Sequence, residues 1–373
     1  NPGINKEGTD YTAEGGWFDG NLVRFRKGLP EKIGGWVKFI TASFEGTGRK
    51  LFGWTSLSGT KLLGLGTRSK LYIQSGANYN DITPIRSTTS AGDVTFGATD
   101  GSSSINVTDT AHGAQKGDFV TFSGASSLGG NVTAAVLNQE YEIDSITSTS
   151  VYVITAKDTS GTTVTANSSD SGNGGSSVVG AYQINVGLDV FVAGTGWGAG
   201  TWGADGWGQA STETAGGGTI RLWSQDNFGE DLIFNQRDGG VFYWDKTLGT
   251  STRAKNLIEL SDQAPIKSRK VIVSERDRHV ICFGANPLTS SAQDRLLVRF
   301  SSQENPFLWT PTATNTAGDL RVGSGSEIVT AVKTRREIII LTDTSVHSMQ
   351  FIGAPFTFGI NQLASNITVR GFN

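Results

Sequence analysis

Apolar residues in this chain come in short runs closed by Gly, Asn, Asp or Ser. No long segment carries the i, i+3, i+4, i+7 spacing of a buried helix face. The clearest stretch is RLWSQDNFGEDLIFNQRDGGVFYWD, Arg221–Asp245. It predicts three antiparallel strands, Arg221–Ser224, Asp231–Asn235 and Val241–Trp244. The first turn carries Asp226, Asn227 and Gly229, and the second spans Asp238–Gly240. Gly supplies positive φ there, and Asn or Asp bonds nearby backbone, as tight hairpins require.

The same plan recurs at Lys50–Gln74. It returns more loosely at Lys270–Glu275, His279–Gly284 and Leu296–Ser301, and again at Ile328–Lys333, Glu337–Thr342 and Ser345–Phe351. In each copy the middle run is the most apolar: LLGL, LIF, VICF and IIIL. A strand apolar at every position is buried on both faces. Repeated small sheets with such centres predict a mainly β chain with a β-propeller-like body of antiparallel blades. Unrelated hairpins in a β-sandwich are the plainer alternative.

Three regions stand apart. Asn1–Gly16 reads as an extended arm, followed by strands Asn21–Arg26 and Lys32–Phe39 around a turn at Lys27–Pro30. Val23 and Phe25 share one face of the first strand, Arg24 and Arg26 the other. Such a pair is expected to close a ring by joining a C-terminal blade. Ile105–Ala156 holds its own strands, at Phe119–Ser123, Glu140–Ile146 and Ser150–Thr155, and predicts an inserted small β-sandwich or barrel. Thr159–Ser177 is a polar tract, expected to be a loop or linker. The predicted division is 1–86 for arm, closing strands and first blade, 87–177 for the inserted domain, and 178–373 for the remaining blades. Val178–Ala193 is expected to return to the main body, Gly318–Ser326 to be a connection, and Pro355–Asn373 to open a further blade. Lys246–Ile266 is read as one helical turn or an extended crossing.

Composition narrows the function. Net charge is −3, which is not the basic face of a duplex-DNA binder. It permits a surface past which DNA slides. No apolar run is long enough to span a membrane as a helix. The single Cys282 lies in an apolar run and reads as a small buried hydrophobe, which excludes a disulfide framework within the chain. The chain opens on Asn and stops at Val369–Asn373, from which we expect residues to continue at both ends.

Candidate chemistry is sparse. His112, His279 and His347 lack a second His or Cys at ligand spacing, so no metal, cofactor or catalytic residue is expected. Propellers host glycosidases that use paired carboxylates, which singles out Asp226, Glu230, Asp231, Asp238, Asp277 and Glu304. Sialidase-type blades carry S-x-D-x-G-x-T-W. Ser224–Gly229 comes near it, but the Gly is displaced by one and no Thr-Trp follows. Asp226 is therefore read as a solvated turn residue. Trp197, Trp202 and Trp207 recur every fifth residue in GTGWGAGTWGADGWG. They are read as indoles packed on blade edges, with sugar stacking or subunit contact as alternatives. Arg24 and Arg26, with Lys27, and the Arg335–Arg336 pair are read as surface or interface charges.

The segments Gly15–Trp36, Gly194–Gly203, Arg221–Asp245, VRFSSQENPFLWTP (Val298–Pro311) and IIILTDTSVHSMQFIGAPFTF (Ile338–Phe358) together resemble the tail nozzle proteins of short-tailed bacteriophages, also called tail tubular or DNA-stabilisation proteins. The resemblance covers most of the chain outside Ser87–Ser177. It implies a virion tail protein that is structural and not an enzyme. It also implies a homohexameric ring below the portal and adaptor, bordered by fibres or spikes, with the genome passing through its lumen. Related nozzle proteins tend to be longer, with more blades, which puts ring closure in doubt here. The alternative function is a tail protein that binds or cleaves host glycans, through the Trp197/Trp202/Trp207 loop or the Asp226 turn.

Overall fold

The computed structural model describes residues 3–9, 11–12, 14–35, 37–168, 173–185, 220–353, 356–369 and 371–372. The chain forms two compact units, Asn1–Ser43 and Phe44–Asn373. Among the described residues there are six four-stranded antiparallel sheets and one two-stranded hairpin. Trp197, Trp202 and Trp207 lie outside the described residues.

The first unit holds the hairpin Val23–Arg26 and Leu29–Lys32. Its turn is Lys27-Gly28, both at positive φ, so the return strand starts earlier than the expected Lys32. Val23 and Phe25 are half-buried while Arg24 and Arg26 are exposed, and Phe25 meets the Trp17 ring edge-on at 6.2 Å. The hairpin is a two-stranded sheet.

In the second unit, four sheets are meanders in chain order: residues 48–81, 223–256, 270–321 and 328–365. These are the blades, numbered one to four below, and the body is propeller-like. Each has a fourth strand: Asn78–Asp81, Lys255–Asn256, Gly318–Arg321 and Thr357–Ser365. Two expectations are corrected by this. Gly318 begins an outer strand instead of a bare connection, and Thr357–Ser365 completes the fourth blade instead of opening a fifth. The helical turn expected in Lys246–Ile266 falls at Leu257–Leu260, capped by the Asn256 side chain.

The middle strands decide the packing. Leu232 and Phe234 of the second blade share a core with Trp54, Leu62 and Ile73 of the first. Ile233, between them in sequence, joins Val271, Val280 and Cys282 of the third. In the third blade Ile281 and Phe283 turn to Ile338, Ile340 and Met349 of the fourth. Alternation with period two therefore sends successive apolar residues to opposite neighbours, and consecutive blades stack face to face. The innermost strands lie side by side. Ser224 Oγ donates to Val271 O at 2.8 Å, and Val273 N donates to Asp226 at 2.8 Å. Both registers ascend together, so these strands run parallel.

Close approach of the first two blades needs glycine. Gly64 and Gly66 sit in the middle strand Lys61–Thr67. A Cβ at Gly66 would lie 2.4 Å from the Trp223 ring, and one at Gly64 would meet Gln225 Oε1 at 2.2 Å. Trp223 then lies flat enough for its Nε1 to donate to Thr67 O at 2.6 Å.

The insertion is a β-sandwich. Its two sheets share one core built on Phe96, Ile105, Val120, Phe122, Tyr152 and Tyr182. Its bounds lie outside those expected, because Ile85–Thr88 and Val179–Gln183 pair within it. Val179–Gln183 thus does not return to the blades. The described part of the tract Thr159–Ser177 is likewise bound down: Val164 N donates to Ala156 O and Gly101 N to Ala166 O. Backbone bonding holds this segment where apolar burial is scarce. The sandwich is fixed to the blades by a charge cluster, in which Lys70 bonds Asp81 at 3.1 Å and also Glu140, while Arg253 reaches Glu140 at 3.2 Å and Asp81 at 3.3 Å.

Gly66→Ala is expected to destabilise the fold by about 1–3 kcal/mol through overpacking against Trp223. Gly53→Ala, whose Cβ would meet nothing nearer than 3.9 Å, stays within about 0.5 kcal/mol. Urea denaturation of the two variants measures the difference.

Candidate functional site

The inner strands bring together side chains that are far apart in sequence. The strand Trp223–Phe228 runs on through the stretch expected to turn, and the turn proper is Gly229-Glu230. Asp226 is consequently a buried strand residue, not a solvated turn residue. Its carboxylate accepts from Val273 N of the third blade and from Lys333 Nζ of the fourth, each near 2.9 Å. One carboxylate thus clasps three blades. Burial raises its pKa, while Lys333 and the backbone N–H groups hold it back down. Lys333 also bonds Glu275 at 3.2 Å.

One turn of strand away, Lys270 Nζ donates to Thr330 Oγ1 at 2.9 Å. Thr330 Oγ1 donates to Phe372 O at 2.7 Å. The Phe372 ring is buried, with the Arg237 guanidinium 5.2 Å and Lys270 Nζ 5.6 Å from its centre. Burial, aided by the nearby Lys50 charge, lowers the Lys270 pKa to about 8. Sequence reasoning missed Lys270, Thr330, Lys333 and Phe372. The available signal was a lysine at the end of an otherwise apolar run, in KVIV and in IVTAVK.

The other carboxylates do not converge with Asp226 on a common reacting point. Glu230 accepts from Leu57 N at 2.8 Å and pairs with Lys246 at 2.7 Å. Asp231 bonds the Tyr243 hydroxyl and Lys246 N. Asp238 accepts from Gln293 at 3.1 Å, and Asp277 lies 3.8 Å from Arg276. Glu304 is exposed, at positive φ. Each is engaged in local bonding or faces solvent. Arg24, in the separate hairpin, pairs with Glu31 at 3.2 Å, and Arg26 is exposed beside it.

The histidines are structural. His279 is buried among Phe300, Phe351 and Phe358, with Nε2 3.1 Å from Thr316 Oγ1. His347 Nε2 lies 2.9 Å from Ser345 Oγ, and His112 Nε2 lies 3.1 Å from Ser148 O. Cys282 is fully buried, and burial pushes its thiol up to about 12. Among the described residues no three His, Cys, Asp or Glu side chains are grouped to hold a metal ion. No described helix is long and apolar enough to cross a membrane.

Two outcomes follow. Lys333→Met leaves the buried Asp226 carboxylate without its cation and is expected to cost about 1–3 kcal/mol at neutral pH, discounted because Lys333 is partly exposed. The cost should shrink toward acid pH, where Asp226 takes a proton, and should largely vanish when Asp226→Asn is added; denaturant titration of the double-mutant cycle reads this. His279 is held down to about 4 by burial. The unfolded chain therefore takes up this proton below about pH 6.5 while the folded chain does not. Stability falls from pH 6.5 to about 4 by up to ~3 kcal/mol and then levels. His279→Gln should flatten that part of the pH profile of urea midpoints.

No family model matches this chain, and no curated protein matches it. Among solved structures it is similar to a phage phi92 endosialidase, at 12% identity and a TM-score of 0.25. The match covers 91% of this chain and 50% of that one, so the chain spans half the length of that protein. An overlay this loose carries no argument about function.

Proposed function

We propose that this chain is a structural subunit of a short bacteriophage tail, of the nozzle type, which assembles into a sixfold ring around the path of the genome. The observation that carries the reading is a blade face that the described residues leave partly uncovered. In the fourth blade Ile338, Ile340 and Met349 face the third blade, while Val332, Ile339 and Leu341 alternate to the opposite side. Val332 is 49% exposed and Ile339 and Leu341 are half-buried; Leu363, at the register shift of the outermost strand, is 57% exposed. Apolar side chains grouped on one exposed face are what a subunit interface requires.

The centre of the body supports the same reading. Its buried charges bond neighbouring blades to one another, as expected of a rigid building part. A net charge of −3 leaves little to trap a polyanion passing alongside. In this reading the partners are further copies of the chain, the adaptor-side tail proteins and the fibres or spikes, and the place is the virion tail.

Mass photometry tests the proposal. The purified chain should form a discrete ring-sized species. Val332→Asp combined with Leu363→Asp should shift it to monomers with an unchanged melting midpoint, since both side chains are exposed in the single chain. A monomer that turns over a sialylated glycan would overturn the reading.

A further inference from the structure

A cleft of about 320 Å³ opens between the third and fourth blades, beside the Asp226–Lys333 clasp. Two hairpin turns form its rim: Ser274–His279 between strands Lys270–Val273 and Val280–Phe283, and Thr334–Glu337 between Ile328–Lys333 and Ile338–Thr342. Its floor is apolar, made by Met349, Phe351 and Phe358.

The rim carries Glu275, Asp277 and Glu337 against Arg276, Lys333, Arg335 and Arg336, with Lys333 shared between Glu275 and the buried Asp226, so its charges are balanced in number and differ in how they are paired. Glu275 pairs with Lys333 at 3.2 Å, and Asp277 lies 3.8 Å from Arg276. Glu337 accepts from Gln350 Nε2 at 2.8 Å and from the Ser348 hydroxyl. Glu275 and Asp277 thus have cationic neighbours, while the partners of Glu337 are uncharged. Arg335 and Arg336 also line the cleft, and among the described residues neither has a hydrogen-bond or ion-pair partner. Two arginines on the rim thus border a cleft of small-ligand size whose floor is apolar. A guanidinium fork matches a carboxylate by paired N–H donors, and the floor matches a flat or branched apolar body.

We propose that this cleft binds a small organic carboxylate carried on an aromatic or apolar body, held by Arg335 and Arg336 over Phe351 and Phe358. Glu337, whose partners are uncharged, works against polyanions, and the limited volume against long chains. A single carboxylate beside a ring satisfies both. This inference is independent of the assembly proposed above, because the cleft lies between two blades of one chain.

The test is calorimetric titration of the full chain with N-acetyl-phenylalanine, and with its amide and inorganic phosphate as comparison probes. Saturable binding of the carboxylate is expected, at least tenfold tighter than either comparison probe. Arg335→Gln combined with Arg336→Gln should weaken it at least tenfold while the melting midpoint stays unchanged, as both side chains are exposed. Absence of binding, equal binding of acid and amide, phosphate binding as tight as the carboxylate, or undiminished binding in the double variant would each overturn the proposal.

Discussion

A strand apolar on both faces cannot stand at a surface; it needs a covering sheet on each side. That demand, made by LIF in the second blade and VICF in the third, organises everything else in Phe44–Asn373. Each blade covers one face of the next, and the cover has to be supplied in sequence order, because each meander is continuous. Burial of a Phe or Ile side chain is worth about 1.5–3 kcal/mol, and the middle strands contribute several such residues to each shared core. The direction of the inner strands follows: they are brought side by side by stacked faces and run parallel.

Stacking faces this closely has polar consequences. Backbone and side-chain groups on the inner strands lose water, which favours bonds between blades, although the Gln225 amide is buried without a partner among the described residues. Asp226 makes such bonds for three blades at once, bonding Val273 N and Lys333 while staying in its own strand. Trp223 does the same between the first two blades through its indole nitrogen, and only glycine at position 66 lets it lie there. The charge cluster of Lys70, Asp81, Glu140 and Arg253 fixes the inserted sandwich by the same means. Polar groups at the centre of this body bond neighbouring blades to one another, and the cleft with Arg335 and Arg336, which have no partner among the described residues, stands out against that background.

Much of the blade plan was legible because burial on both faces leaves a direct mark: an unbroken apolar run. The outer strands left none. Asn78–Asp81, Lys255–Asn256 and Gly318–Arg321 are short and polar, since an edge strand buries little, and in sequence they read as connections. Asp226-Asn227 read as a turn because both residues favour turns locally; tertiary bonds from Val273 and Lys333 hold them in a strand instead. The clasp itself was illegible, its two charges being 107 residues apart. A hairpin near Val23–Lys32 was legible, but its second strand is Leu29–Lys32 and not Lys32–Phe39, because the chain turns at once on Lys27-Gly28.

The account rests on blades that cover one another within a chain and leave the fourth blade's outer face for a neighbour. A density map of the protein in its assembled state tests this most directly. It should show Trp223–Phe228, Lys270–Val273 and Ile328–Lys333 as adjacent parallel strands, with the face bearing Val332 and Leu341 packed on another subunit. Inner strands separated from one another, or that face bare in every particle, would contradict it.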